Sequence, residues 1–187
     1  MAHYRIGVNR LQLITGSLLV AHPVHAKYEF AETVVYITES TEHSTVGLIL
    51  NKPSTETMKT VMRENNTEWG WNQKIYNGGQ DNRNAMVMLH SDNWYSRNTL
   101  QVNNDLSISS DELMIDKMAM GDFPDWHKLF IGCSGWSPNE LEHEVRRRKP
   151  EWLVLPHPTR SLIESNSNDL WNKAVAEISQ DQVKTFF

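Results

Sequence analysis

The sequence predicts an α+β fold: a single domain over residues 1–187 in which a curved, mostly antiparallel mixed β-sheet is flanked by several helices. Three observations carry this. Short apolar runs with the composition of strands recur along the chain, helix-start signals stand between only some of them, and the two kinds of segment do not alternate strictly. A doubly wound parallel sheet would need that alternation.

The strand runs are Leu18 to Ala21, Thr33 to Thr38, Val46 to Leu50, Lys74 to Tyr76, Ala85 to Leu89, Leu106 to Ile108, Lys128 to Ile131 and Trp152 to Leu155. All are too short for helices and too apolar for loops. Thr33 to Thr38 is β-branched and aromatic, which suits a pleated surface. Helices start at three capping signals. Ser54 caps a segment burying Met58, Val61 and Met62. Ser109-Ser110-Asp111-Glu112 reads as a capping box on Ser109, with Leu113, Lys117 and Met120 at helical spacing and Gly121 as the stop. Ser137-Pro138-Asn139-Glu140 is a second box with proline at the first helical position, opening a helix that pairs Leu141 with Val145 and ends before Pro150. Leu170, Trp171, Ala174, Val175 and Ile178 form the stripe of a C-terminal helix. Asn65 to Asn72 and Tyr95 to Asp105 are polar and read as loops.

A hydrophobic content of 39% with 22% charge is globular, and a net charge of −5 opposes a surface that attracts nucleic acid or anionic lipid throughout. No run reaches the ~20 apolar residues of a spanning helix. Arg5 and Arg10 before Leu11 to Ala21 have the outline of a secretory leader, but Gln12, Thr15, Gly16 and Ser17 dilute the run and His22-Pro23 breaks it. With Cys133 as the sole cysteine, the expected compartment is the cytoplasm.

Candidate sites compete with plainer readings. Asn51-Lys52-Pro53 is a well-built turn that also presents a lysine at a sheet edge. Gly78-Gly79 lacks the lysine, further glycines and following helix of a phosphate loop, and reads as a tight turn. Cys133 and Ser134 sit between glycines where a strand is expected to pass into a helix, with His90 as the available base. That is the outline of a nucleophile elbow, although Trp136 stands where the elbow needs glycine and no acid is in evidence to orient the base. Arg146-Arg147-Arg148-Lys149 is the one basic cluster, suited to a helix C-terminus or to nucleic-acid contact. His22, His25 and His157 lack metal-site spacing, so neither metal nor cofactor is expected. Trp69, Trp71, Trp94 and Tyr95 are either lids over the core or exposed partner contacts.

Five segments taken in order resemble the YqgE/AlgH family: Gly16 to Pro23, Phe30 to Glu39, Gly47 to Pro53, Tyr76-Asn77-Gly78-Gly79 with Met86 to His90, and Gly132 to Glu144. The resemblance implies a YqgE-like α+β domain and the role of a transcriptional regulator. Gln80-Asp81, Cys133 and Asn139-Glu140 depart from the family pattern. The resulting expectation is a non-enzymatic binding protein. It would engage a protein partner through Asn51, Lys52, Pro53, Gly78, Gly79, His90, Gly135, Trp136 and Glu140. The alternatives are a small-molecule hydrolase using Cys133 or Ser134 with His90, and nucleic-acid binding through Arg146 to Lys149.

Overall fold

A computed structural model describes residues 15–64 and 68–184. Along the chain, β1 (Leu18–Ala21), β2 (Val34–Ser40), β3 (Thr45–Ile49) and β4 (Pro53–Thr57) precede α1 (Met58–Glu64). Then come β5 (Lys74–Asn77), β6 (Asp81–Ser91), β7 (Leu100–Gln101), β8 (Leu106–Ser109) and α2 (Glu112–Ala119). The chain closes with β9 (His127–Trp136), α3 (Pro138–Arg146), β10 (Trp152–Leu155), α4 (Arg160–Ile163) and α5 (Ser167–Lys184).

The described strands form one curled sheet in the order β10-β1-β2-β3-β9-β6-β8-β7, with β5 on β9 and β4 on β5. Among the described pairings only β5–β9 is parallel. Side chains alternate across it as strand geometry requires. Leu18, Val20, Val34, Tyr36, Leu89 and Phe130 face one way and are covered by α4 and α5 through Leu162, Ile163, Leu170, Ala174 and Ile178. Leu19, Ala21, Val35, Ile37 and Trp152 face the other way under Leu141 of α3. Further along that same outer face, Ile75, Met88 and Leu129 lie under Met58 of α1 and Met114 and Met118 of α2.

Several expectations shift. The segment Arg5 to Ile14, weighed above as a leader, lies outside the described residues, as do Asn65 to Thr67. The run that follows that segment, Leu18–Ala21, is fully buried and paired on both sides. Ser54 belongs to β4 and caps no helix; the Thr57 hydroxyl instead accepts from the Thr60 amide at the start of α1. Ser109 ends β8, and Asp111 caps α2 by accepting from the Met114 amide at 3.0 Å. Met114 and Met118 are therefore the buried face, while Met120 is 85% exposed. Leu100–Gln101 pairs with β8 inside the stretch expected to be loop. The α3 capping box is as predicted, with Ser137 and Glu140 bonding each other's amides.

The largest difference is in β9, which runs on through Cys133, Ser134, Gly135 and Trp136. Gly132 has φ 74°, a bend that only glycine makes without strain, and it hands the strand to a new neighbour. β9 pairs with β5 as far as Ile131 and with β6 as far as Cys133; beyond the bend, Ser134 to Trp136 pair with Gly47 to Thr45 of β3. The bend is also where Gly78 and Gly79 cross β9. A Cβ on Gly78 would collide with the Gly132 carbonyl oxygen, and one on Gly79 with the Cys133 carbonyl. Gly78 spends its amide on Ile131 at 2.9 Å and its carbonyl on the Ile49 amide at 3.0 Å, joining β9 to β3.

Adding one methyl here is expected to be costly. Gly78→Ala should lower the unfolding free energy by about 3 kcal/mol or more, because the backbones must part to admit it. Gly70→Ala, with open space around its Cβ position, should stay within about 0.5 kcal/mol. Urea denaturation of both variants checks this.

Candidate functional site

The turns around this crossing build a cleft of ≈ 560 Å³ on the outer face, bordered by the α3-covered part of the sheet. Its apolar floor is Phe30, Ile49 and Trp136. Lys27, Lys52, Glu29, Asp81 and Glu140 supply charge of both signs around it.

Each wall has a local cause. Asn51 does not bond its own turn, as the sequence suggested. Its side-chain carbonyl accepts from the Val34 amide at 2.9 Å, and its amide donates to the Glu32 carbonyl at 2.7 Å. Those two bonds hold Glu32 at φ 56°, a conformation uncommon for a residue with a side chain. Lys52 donates to the Ala31 carbonyl at 3.1 Å and has donors left for the cleft. Past the glycine crossing, Gln80 and Asp81 project at the rim, with the Asp81 carboxylate over Gly135.

The far wall rests on a buried acid of α3. Glu144 is 9% exposed, and its Oε2 accepts from both Trp136 Nε1 at 3.1 Å and Trp152 Nε1 at 2.9 Å. Its Oε1 lies 3.5 Å from Lys27 Nζ, which also stands 3.3 Å from Glu151 Oε2, an ion pair without hydrogen-bond alignment. Burial pulls the Lys27 ammonium down, but Glu151 and Glu144 outweigh that and hold its pKa above the ordinary value. The only sequence trace of this network was Glu144 on the predicted helix three residues after Leu141.

A family model described as AlgH-like matches residues 18–182. The chain belongs to that family. It is 24% identical over 176 residues to a UPF0301 protein of Vibrio parahaemolyticus, covering 90% of this chain and 93% of that one. A UPF0301 protein of Pasteurella multocida is 28% identical over 83% of this chain and 86% of its own. The solution structure of AlgH from Pseudomonas aeruginosa matches with a TM-score of 0.75 at 24% identity, covering 94% of this chain and 92% of that one. These structural likenesses, under 25% identical, speak to the fold.

Within this AlgH-like fold the predicted edge is only partly assembled. Lys52, Gly79, Gly135, Trp136 and Glu140 meet in the cleft, with Asn51 and Gly78 shaping it from behind. Pro53 borders a different pocket. His90 is fully buried, with its ring nitrogens engaged by the Ser91 carbonyl at 2.9 Å and the Ser109 hydroxyl at 3.0 Å. It pairs with His127 at the start of β9, whereas Asp81 pairs with Cys133 near the end. At ~3.3 Å per residue that separation is on the order of 15 Å or more. No nucleophile–base pair forms between them. Cys133 turns its side chain to the core under α5, where burial and Asp81 raise its thiol pKa and the Asn82 amide only partly offsets them. A raised thiol is the reverse of an activated one. Ser134 faces the cleft, and its hydroxyl donates to the Gly78 carbonyl at 3.3 Å.

The basic cluster is divided as well. Arg146 pairs with Glu142 at 3.4 Å and Arg147 with Glu151, leaving Arg148 and Lys149 exposed. Trp69 and Trp94 are lids, each 6% exposed, over Met58 and Met114, whereas Trp71 and Tyr95 reach solvent. Among the described residues no group of three or more His, Cys, Asp or Glu could hold a metal ion, and no helix is long and apolar enough to cross a membrane.

Glu144→Ala should cost roughly 2–4 kcal/mol, since it strands two indole donors and removes one of the two carboxylates that face Lys27. Glu144→Gln, which keeps an acceptor, should cost less; chemical denaturation ranks them. Burial lowers the pKa of both His90 and His127 below 6.5. The unfolded chain then binds more protons, so this contribution is fully present above pH 6.5 and is lost as pH falls below it. Stability should drop between pH 7 and pH 5, and the drop should be shallower in His127→Gln.

Proposed function

We propose that this AlgH-like chain is a non-enzymatic binding protein that holds a segment of a protein partner in the cleft, any effect on transcription being exerted through that partner. The observation that carries this reading is the cleft's composition. An apolar floor under a rim of mixed charge suits an amphipathic peptide segment, which offers side chains of each kind at fixed spacing. The rim is drawn from four separate chain segments, around Lys27, Lys52, Gln80 and Glu140. Three residues that depart from the family pattern, Gln80, Asp81 and Glu140, stand on that rim, so the bound segment is expected to differ from that of relatives. The raised Cys133 thiol and the remote His90 favour binding over covalent chemistry at this place.

Trp136 is too buried to serve as a clean test, because its removal also breaks the bond to Glu144. Lys52→Glu with Gln80→Lys alters the rim instead. Affinity capture from native lysate, followed by titration of the recovered protein, should show binding weakened at least tenfold by the double variant with its melting temperature unchanged. Equal affinity for the variant would remove the cleft from the reading.

A further inference from the structure

On the inner face, away from the cleft, a second pocket of ≈ 330 Å³ lies between the strand pair β5–β9 and the turn that leads into α5. Lys128 borders it from β9 and is only 9% exposed. Its ammonium donates to the Leu50 carbonyl at 3.3 Å and stands 4.8 Å from the centre of the Tyr76 ring. Among the described residues no carboxylate lies within ion-pair distance of it. A buried ammonium with donors to spare is costly unless something anionic reaches it.

Lys74 strengthens the case. The parallel register sets Ile75 beside Leu129, so Lys74 lies beside Lys128 on the same face. Its side chain is exposed at the pocket edge. The two lysines thus set positive charge on both of the strands that border the pocket. The acid at this pocket, Glu164, is already committed to Arg160 at 2.6 Å. Opposite, the chain enters α5 at Ser167, so the positive end of an 18-residue helix borders the same space.

We propose that this second pocket binds a small phosphate oxyanion, free or as the phosphomonoester of a small molecule, between the ammonium groups of Lys128 and Lys74. Two cations and a helix N-terminus match a dianion better than a monocarboxylate. The site is independent of the partner-binding cleft. Lys74, Tyr76 and Glu164 are the ionisable groups that face Lys128, and burial lowers its ammonium to about 8. The bound dianion requires that ammonium to be charged, so affinity falls as pH rises past 8.

Calorimetric titration of the full chain with inorganic phosphate at pH 7.0 and pH 9.5 tests this. Saturable binding at pH 7.0, weakened at least tenfold at pH 9.5 and at least tenfold by Lys128→Met, is the expected result. The methionine variant removes an unpaired buried charge and should fold; Lys74→Glu, at an exposed position, gives a second loss of at least tenfold if it does not. Glycerol 3-phosphate binding at least tenfold tighter than inorganic phosphate would assign the pocket to an ester, and equal affinity to the free anion. No saturable binding of either, or binding that survives both substitutions, would overturn the proposal.

Discussion

The close crossing of Gly78–Gly79 over Gly132–Cys133 sets the geometry on which the rest of this structure depends. Two backbones pass at a distance that admits no side chain at Gly78, Gly79 or Gly132, and Gly78 bonds to β9 and β3 at once. Because β9 bends there, its first half can serve β5 and β6 and its second half β3. Remove the bend and the long strand has one set of partners, the sheet does not curl, and the turns carrying Lys52, Gln80 and Ser134 no longer meet. The double glycine thus acts as a structural joint, and the joint places the cleft.

A second constraint keeps the cleft open beside that joint. Helix α3 is amphipathic and capped by Ser137 and Glu140, but capping alone contributes only about 1 kcal/mol. Its position on the sheet is set by Glu144, whose carboxylate satisfies two buried indoles and faces Lys27. A buried charge left without partners would be expensive, so the acid forces Trp136, Trp152 and the segment carrying Lys27 to arrive together. Specificity of arrangement, more than net stabilisation, is what such a network contributes.

Where local chemistry decided an element, the sequence was readable. All eight apolar runs are strands, and the Ser137 box and the C-terminal stripe stand where composition put them. Long-range contacts decided the rest. Cys133 and Ser134 read as a strand-to-helix junction because four small or polar residues interrupt the apolar run, yet pairing of Cys133 with β6 and of Ser134 onward with β3 extends the strand through them. Pro53–Thr57 has no apolar pattern and is a strand only through its pairing with β5. His90 looked like a residue at a strand end, and its burial against Ser109 depends on β8, which is remote in the chain. The edge around Lys52, Gly79, Gln80-Asp81 and Trp136 was visible as separate motifs, while Lys27 joins it only through the fold.

Departures from the family pattern divide by face. Cys133 points into the core, where a thiol is accommodated as a small apolar group, whereas Gln80 and Asp81 stand at the cleft mouth. The fold is shared with the family, and the rim joins motif residues such as Lys52 and Trp136 to the departures Gln80, Asp81 and Glu140. The central claim, that this rim is the working surface, is most directly tested by a photo-crosslinking amino acid placed at Gln80 in living cells, with the same group at exposed Leu100 as reference. A discrete cross-linked protein from position 80 and none from position 100 is the predicted result. The same products from both positions, or none from position 80, would contradict it.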